Sequence, residues 1–282
     1  MVTRNYKINS NRIAGMNYYY RNYSRDYMLK AIKNNGIQNI ELWTCPQHYF
    51  VNNSGREDIS TLKKSIQETG LKIICITPQQ GNPNPFNLAA RGENLIENTF
   101  YCFKNIIETA YELDVKYISI NPGWDYYDEP ISVAWNRSVN MCKRIAEYAS
   151  DYRINFVVEA LQPEESHIVS SISDLYKYLD NVGNSNVFIN IDLGAMARNQ
   201  ETIEQYFHVF TDKIRHCHFV DGDPIGHLAW GDGVRNPGKD FEIFNEFNYK
   251  GYFSFEFAQS RYFRNPKLVE EKAMLNLKSY FL

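Results

Sequence analysis

The stretch from Ile214 to Asp223, IRHCHFVDGD, sets two histidines two residues apart in an apolar run and follows them with two aspartates. If the run is a strand, alternate side chains share a face, so His216 and His218 point the same way. Two residues of strand rise separate them by roughly 6.5–7 Å. A metal–nitrogen bond is only about 2.0–2.2 Å long. One metal at the end of the strand would therefore be reached by one histidine only. His218, nearer the C-terminal end, is the expected ligand, and His216 the hydrogen-bonded residue one layer deeper.

Seven further stretches resemble this one. RIAGM, IQNIELW, LKIICIT, VKYISIN, INFVVEA, VFINIDL and GYFSFEF are short, apolar and rich in β-branched residues. Helix-like stretches run between them, among them 58–69, 95–113, 133–151 and 173–179, the first stopped by Gly70. Strands that alternate with helices imply parallel pairing through right-handed crossovers. Eight such units in 282 residues predict an α/β fold, a (β/α)8 TIM barrel filling residues 1–282 as one domain. An open doubly wound sheet is the rival, but no G-x-G-x-x-G follows the first strand and no P-loop motif occurs.

The composition narrows the function. Hydrophobic residues make up 44% and charged residues 22%, as in a globular protein. A formal net charge of -3 argues against nucleic acid as a partner, since phosphate binding leaves a basic footprint. No run is apolar enough to span a membrane, and MVTRNYKINSN has no apolar core of a signal peptide. Five scattered cysteines without a C-x-x-C suit reduced thiols, so a cytoplasmic location is expected.

The informative charges fall at strand ends. Phe156-Val157-Val158 runs into Glu159, the fifth strand's last residues. Asp192 closes the sixth, His218 the seventh, and Glu256 follows Phe255 in the eighth. The C-terminal end of the strands is the active-site face of a barrel. Three carboxylates brought together there would repel one another. A divalent cation removes that cost, and this oxygen-rich set suits Mn²⁺ first, with Co²⁺, Mg²⁺ or Zn²⁺ as alternatives.

Several stretches carry a family resemblance: IELWTCPQHYF (40–50), ITPQQGNPNPFN (76–87), VEALQPEESHIV (158–169), IDLGAM (191–196), IRHCHFVDGD, WGDG (230–233) and FEFAQSRYFRNP (255–266). They resemble the xylose-isomerase-like barrels, the sugar isomerases and epimerases, and within them the fructoselysine 3-epimerase branch most. The resemblance implies a metal-dependent carbohydrate isomerase with ligands Glu159, Asp192, His218 and Glu256. It implies proton abstraction beside a ketone, with a Lewis acid stabilising the enediolate and Glu159 and Glu256 as the acid/base pair; it implies too that Glu165 contacts substrate and that His227 matches a histidine of the fructoselysine branch. The ketose 3-epimerases carry a substrate-binding histidine where Ala195 stands and an arginine where Pro224 stands. Free fructose, psicose or tagatose therefore fits this chain less well than a fructoselysine-like ketose.

Other positions keep two readings. His48 either lines the barrel mouth and meets substrate or is an exposed loop histidine. Trp43, Trp124 and Trp230 each follow a strand, and at least one of them should wall the pocket. NYYYRNY (17–23) is a lid or a plain tyrosine-rich loop, His208 lies on a surface helix, and KDFEIFNEF (239–247) starts a helix. The expected partner is a small sugar, with a homo-oligomer among the possible states and no cofactor besides the metal. An inosose-type dehydratase and an aldose–ketose isomerase share the same chemistry. A nuclease of the endonuclease IV type would need about three zinc ions, and six histidines with no basic bias suit that poorly.

Overall fold

A computed structural model describes residues 7–282; the first six residues of the N-terminal stretch discussed above lie outside it. Eight parallel strands close into a barrel: β1 (Ile13–Met16), β2 (Asn39–Trp43), β3 (Lys72–Thr77), β4 (Tyr117–Ile120), β5 (Asn155–Val158), β6 (Val187–Asp192), β7 (Ile214–His218) and β8 (Tyr252–Ser254). Each strand pairs with its neighbours in sequence, and β8 closes on β1 with Ala14 opposite Ser254. All eight expected strands are present.

Nine helices cover the barrel among the described residues: α1 (Arg25–Asn34), α2 (Ile59–Thr69), α3 (Glu93–Glu112), α4 (Ile131–Asp151), α5 (Ile172–Val182), α6 (Leu193–Arg198), α7 (Ile203–Phe210), α8 (Pro237–Glu246) and α9 (Pro266–Leu277). Local chemistry sets their ends. Asp58 caps the first amides of α2, and Gly70 ends it in the left-handed conformation at φ 64°. Thr202 and Gln205 form a reciprocal capping box on α7. Helical spacing sets the inner faces: α5 buries Leu175, Tyr178 and Val182, with Tyr178 packed edge-on against Trp135 of α4. A small antiparallel ribbon, Val51–Asn52 with Gly55–Arg56, sits between β2 and α2.

The barrel interior changes character along its axis. Ala14, Ile74, Cys75 and Val157 pack as a small apolar cluster against Tyr117, Phe188 and Tyr252 near the strand starts. Towards the strand ends the buried residues become polar: Glu41, Ser119, Asn190, His216 and Ser254, then Glu159, Asp192 and His218. A dry floor under a polar mouth confines the ionisable groups to the C-terminal face.

In the tyrosine-rich stretch 17–23, Tyr19 and Tyr20 pack into the core, while Tyr18 reaches the cavity at the barrel mouth. Tyr19 and Tyr20 are buried, and both hydroxyls donate to the carboxylate of Glu270 on α9, at 2.6 and 3.1 Å. Asn35 adds a third donor at 2.8 Å. Gly15 permits this approach, because a Cβ there would lie 2.8 Å from Glu270 Oε1. Burial lifts the Glu270 carboxyl to about 7, against the lowering effect of its bonds to Tyr19, Asn35 and Tyr20.

A carboxyl with a higher pKa in the folded chain keeps its proton where the unfolded chain has lost it. Its contribution to stability therefore declines as pH rises from about 4.3, the ordinary glutamate value, and levels off above the folded value. Glu270→Gln should remove that slope. Urea unfolding at several pH values across this interval should show wild type losing more stability with rising pH than the variant, and parallel curves would contradict the assignment.

Candidate active site

Four strand-end residues converge at the barrel mouth. Asp192 and His218 are paired across β6 and β7. Glu159 directly follows β5, and Glu256 lies two residues past β8. His218 Nδ1 stands 2.9 Å from Glu159 Oε2, 2.9 Å from Glu256 Oε2 and 3.6 Å from Asp192 Oδ2. One donor atom from each of the four lies within 4.8 Å of the others.

The far side of the His218 ring explains what the near side faces. Nε2 lies 3.1 Å from Glu41 Oε1, on β2. The other Glu41 oxygen is 2.7 Å from His216 Nε2, and Thr77 also donates to this carboxylate. With Nε2–H given to Glu41, Nδ1 is an acceptor, and it faces carboxylate oxygens that are acceptors too. Such a cluster needs a positive centre, an extra proton or a cation. A histidine whose second nitrogen is held by a carboxylate is the usual arrangement of a metal-binding imidazole. The donor set, three carboxylates and one imidazole, fits a hard to borderline divalent cation. Glu41, His216 and His218 also lie close enough to form a second ligand group. Their contacts have hydrogen-bond lengths, and we read them as the support beneath the quartet.

The electrostatics follow from burial and crowding. Burial, partly offset by His218 and reinforced by Glu256 and Asp192, pushes Glu159 up to about 8. Burial disfavours the charged form of His218, but Glu256, Glu41 and Glu159 outweigh it and hold the imidazole well above its usual value. Burial would also raise Glu41 and Asp192. The two histidines beside Glu41, and His227 with His218 beside Asp192, instead hold both carboxyls well below the ordinary range.

Asp192 has three partners besides the quartet. Its Oδ1 caps α6 through the amides of Gly194 and Ala195, at 2.6 and 3.0 Å. Its Oδ2 lies 2.8 Å from His227 Nε2. His227 comes from the long loop after β7, which is gathered around Asp221. That buried carboxylate accepts the backbone N–H groups of Gly222, Gly231, Gly233 and Arg235 at 2.8–3.0 Å. Burial lowers His227, but Asp192, Glu256 and Glu165 raise it further, to about 10.

A cavity of about 760 Å³ opens above the quartet. Glu165, His227, Trp43, Trp124, Tyr18 and Ala195 are among its walls, as are Glu159, Asp192 and Glu256. Burial raises Glu165 against the lowering bond from the Gln162 amide. One sequence reading needs correction. His48 is buried instead of lining the mouth: its Nδ1 lies 2.7 Å from Asn17 Nδ2 and its Nε2 3.1 Å from the Tyr23 carbonyl. Asn17 in turn grips the backbone of Trp43 from both sides, at 2.6 and 2.8 Å, so His48 reaches the cavity only through that wall. Trp43 and Trp124 wall the cavity, as expected of at least one of the three tryptophans, while Trp230 is buried and stacked on Phe219 at 4.3 Å. His208 is exposed on α7, and 239–247 lies in and just past α8.

Sequence reasoning missed Glu41 and Asp221. Glu41 was detectable: it is the one acid inside an apolar strand, IELW, on the same face as Trp43. Asp221 carries no such signal, because its partners are backbone amides up to fourteen residues away.

The closed barrel places this acidic cluster at its C-terminal mouth, and comparison with known proteins identifies the family. The chain belongs to the Xylose isomerase-like TIM barrel family, whose model matches residues 29–280. Among its relatives, the fructoselysine 3-epimerase of Shigella flexneri is 27% identical over 241 residues, 85% of this chain and 87% of that protein. The D-psicose 3-epimerase of Agrobacterium fabrum is 24% identical over 197 residues, 68% of this chain and 63% of the relative. A solved 3-keto-D-glucoside 4-epimerase from E. coli superposes with a TM-score of 0.78 at 17% identity, covering 95% of this chain and 99% of its own, a likeness of fold. With these relatives the chain stands among the carbohydrate isomerases.

Glu41→Gln should weaken binding of Mn²⁺ by roughly 10–100-fold, the usual cost of losing a carboxylate behind a ligating histidine. Titration of the metal-stripped protein would measure it. An unchanged affinity would remove Glu41 from the support of His218.

Proposed function

We propose that the chain is a divalent-metal-dependent ketose 3-epimerase acting in the cytoplasm on a ketose that carries an amine, of the fructoselysine kind. The observation that carries this reading is the quartet of Glu159, Asp192, His218 and Glu256 around one point at the barrel mouth. These four residues would hold the metal, Mn²⁺ first by the hardness of the donors. When bound, the cation supplies Lewis-acid stabilisation of negative charge on the substrate oxygens.

The protein groups do the proton chemistry. Glu159 and Glu256 rise from β5 and from the end of β8, on either side of the strands that carry Asp192 and His218. A substrate between them offers opposite faces of one carbon to the two carboxylates. One glutamate removes the C3 proton beside the C2 ketone, leaving an enediolate, and the other returns a proton to the opposite face, which inverts C3. Glu41 fixes the orientation of His218, and His227 neutralises part of the charge on Asp192. Tyr18, Trp43 and Trp124 give the cavity above aromatic walls.

The charge of the cavity bears on the substrate. Five carboxylates, those of Glu159, Glu164, Glu165, Asp192 and Glu256, line it, and among the described residues no lysine or arginine does. A phosphorylated ketose would want such cations. A protonated amine suits the acids and the aromatic faces of Tyr18, Trp43 and Trp124. Ala195 lines the same cavity and offers no polar group where the ketose 3-epimerases place a histidine.

The test uses the metal-loaded enzyme in D₂O. Product from fructoselysine should carry deuterium at C3, chelation should abolish turnover, and Mn²⁺ or Co²⁺ should restore it. Glu159→Gln and Glu256→Gln should each lower kcat by about 10²–10⁴-fold. Deuterium at another carbon would redirect the reading to an aldose–ketose isomerase. Full activity in metal-free protein would defeat it.

A further inference from the structure

Two neighbouring loops, after the adjacent strands β4 and β5, both line the cavity, and one side-chain pair joins them. The loop after β4 brings Trp124 to the cavity, and Asp125 follows it directly. The loop after β5 brings Glu164 and Glu165, and His167 follows two residues on. The Asp125 side chain is only 6% exposed. Its Oδ1 accepts the backbone N–H of His167 at 3.0 Å, and its Oδ2 accepts the imidazole Nδ1–H at 3.0 Å. The half-exposed His167 ring is covered on one side by Tyr127, whose centroid is 4.7 Å away.

The rest of the β5 loop is held mainly from within. Leu161 bonds to Val169, the amides of Glu165 and Ser166 turn back to Gln162, and Ser166 Oγ accepts from Ile168. Glu164 pairs with Arg198 at the end of α6. None of these contacts reaches the β4 loop. A carboxylate that accepts two bonds from one residue fixes both the position and the direction of that residue.

We propose that Asp125 and His167 are a positioning pair that sets the gap between Trp124 and Glu165, and so the fit of the substrate away from its reacting carbon. The inference rests on the epimerase reading for its kinetic consequence and on geometry alone for the link between the loops. Neither residue lines the cavity or touches the metal quartet, so losing the pair should weaken substrate binding and leave the proton-transfer groups in place. Asp125 and His167 are 42 residues apart in sequence, and each is useless for this purpose without the other.

The experiment compares Asp125→Ala, His167→Ala, the double variant and His167→Asn, all loaded with Mn²⁺. Hydrogen–deuterium exchange without substrate should speed up at residues 161–168 in both alanine variants. KM for fructoselysine should rise about tenfold, as for a lost charge-assisted hydrogen bond, while kcat stays within about twofold. The double variant should be no worse than the poorer single one, because the pair acts as a unit. His167→Asn keeps a donor on a shorter side chain and should recover part of the KM. Unchanged exchange at 161–168, additive effects, or a fall in kcat with KM unaltered would each overturn the proposal. If wild-type protein epimerises no ketose, the function assigned above fails, and the exchange result alone decides whether the loops are joined by this pair.

Discussion

Two close contacts govern the barrel mouth: His218 Nδ1 stands 2.9 Å from a carboxylate oxygen of Glu159 and of Glu256, with Asp192 close by. Carboxylates in that number cannot be crowded together in a buried site without a compensating positive centre. The rest of the structure is arranged to make this one cluster tolerable. Glu41 holds the opposite edge of the imidazole, His227 takes up one oxygen of Asp192, and the first turn of α6 takes the other. Each of those contacts lowers the cost of charge at one point, and none fills the centre that the four donors face.

The supports come from different parts of the chain, which is why the closed barrel matters. Glu41 is 177 residues from His218, and the two meet only because β2 and β7 face each other across the barrel interior. The apolar cluster of Ala14, Ile74, Cys75 and Val157 near the strand starts seals the space below. Polar groups are then confined to the upper layers, where a low dielectric strengthens every remaining charge interaction. Asp221 does for the loop after β7 what the strands do for the quartet: four backbone amides converge on one buried carboxylate, and His227 is held in place from that anchor.

The fold and most of the quartet could be read from the sequence for one reason. A strand end is a local feature, and a titratable residue that closes an apolar run shows in a few consecutive letters, as in NFVVE, FINID and IRHCH. Glu41 was harder, because it lies inside its strand, and only the two-residue period separates it from Ile40 and Leu42. Loop residues were harder still. Nothing in PQHYF tells whether His48 turns towards the mouth or into the wall behind Trp43, since that depends on Asn17, thirty-one residues earlier. The choice between Trp124 and Trp230 likewise rests on the course of two loops. Trp230 is drawn inwards by its stack on Phe219 and by the bond from its Nε1 to the Phe219 carbonyl, at 3.0 Å.

The same division separates chemistry from specificity in this molecule. The groups that would handle protons and charge sit on strands or directly after them, where the barrel fixes their separations. The groups that meet the rest of the substrate sit largely on loops, where sequence varies more freely. Ala195 and Pro224 both lie past the ends of their strands. A change of substrate can therefore be made in the loops without disturbing the quartet. The constraint on such a change is charge: the cavity already holds five carboxylates, so a new substrate must bring either no charge or a positive one to the wall formed by Glu164 and Glu165. A substrate of net negative charge would need an arginine or lysine that the cavity does not contain among its described residues. The loops can reshape the mouth readily, but the carboxylates that serve the reaction limit the sign of what enters it.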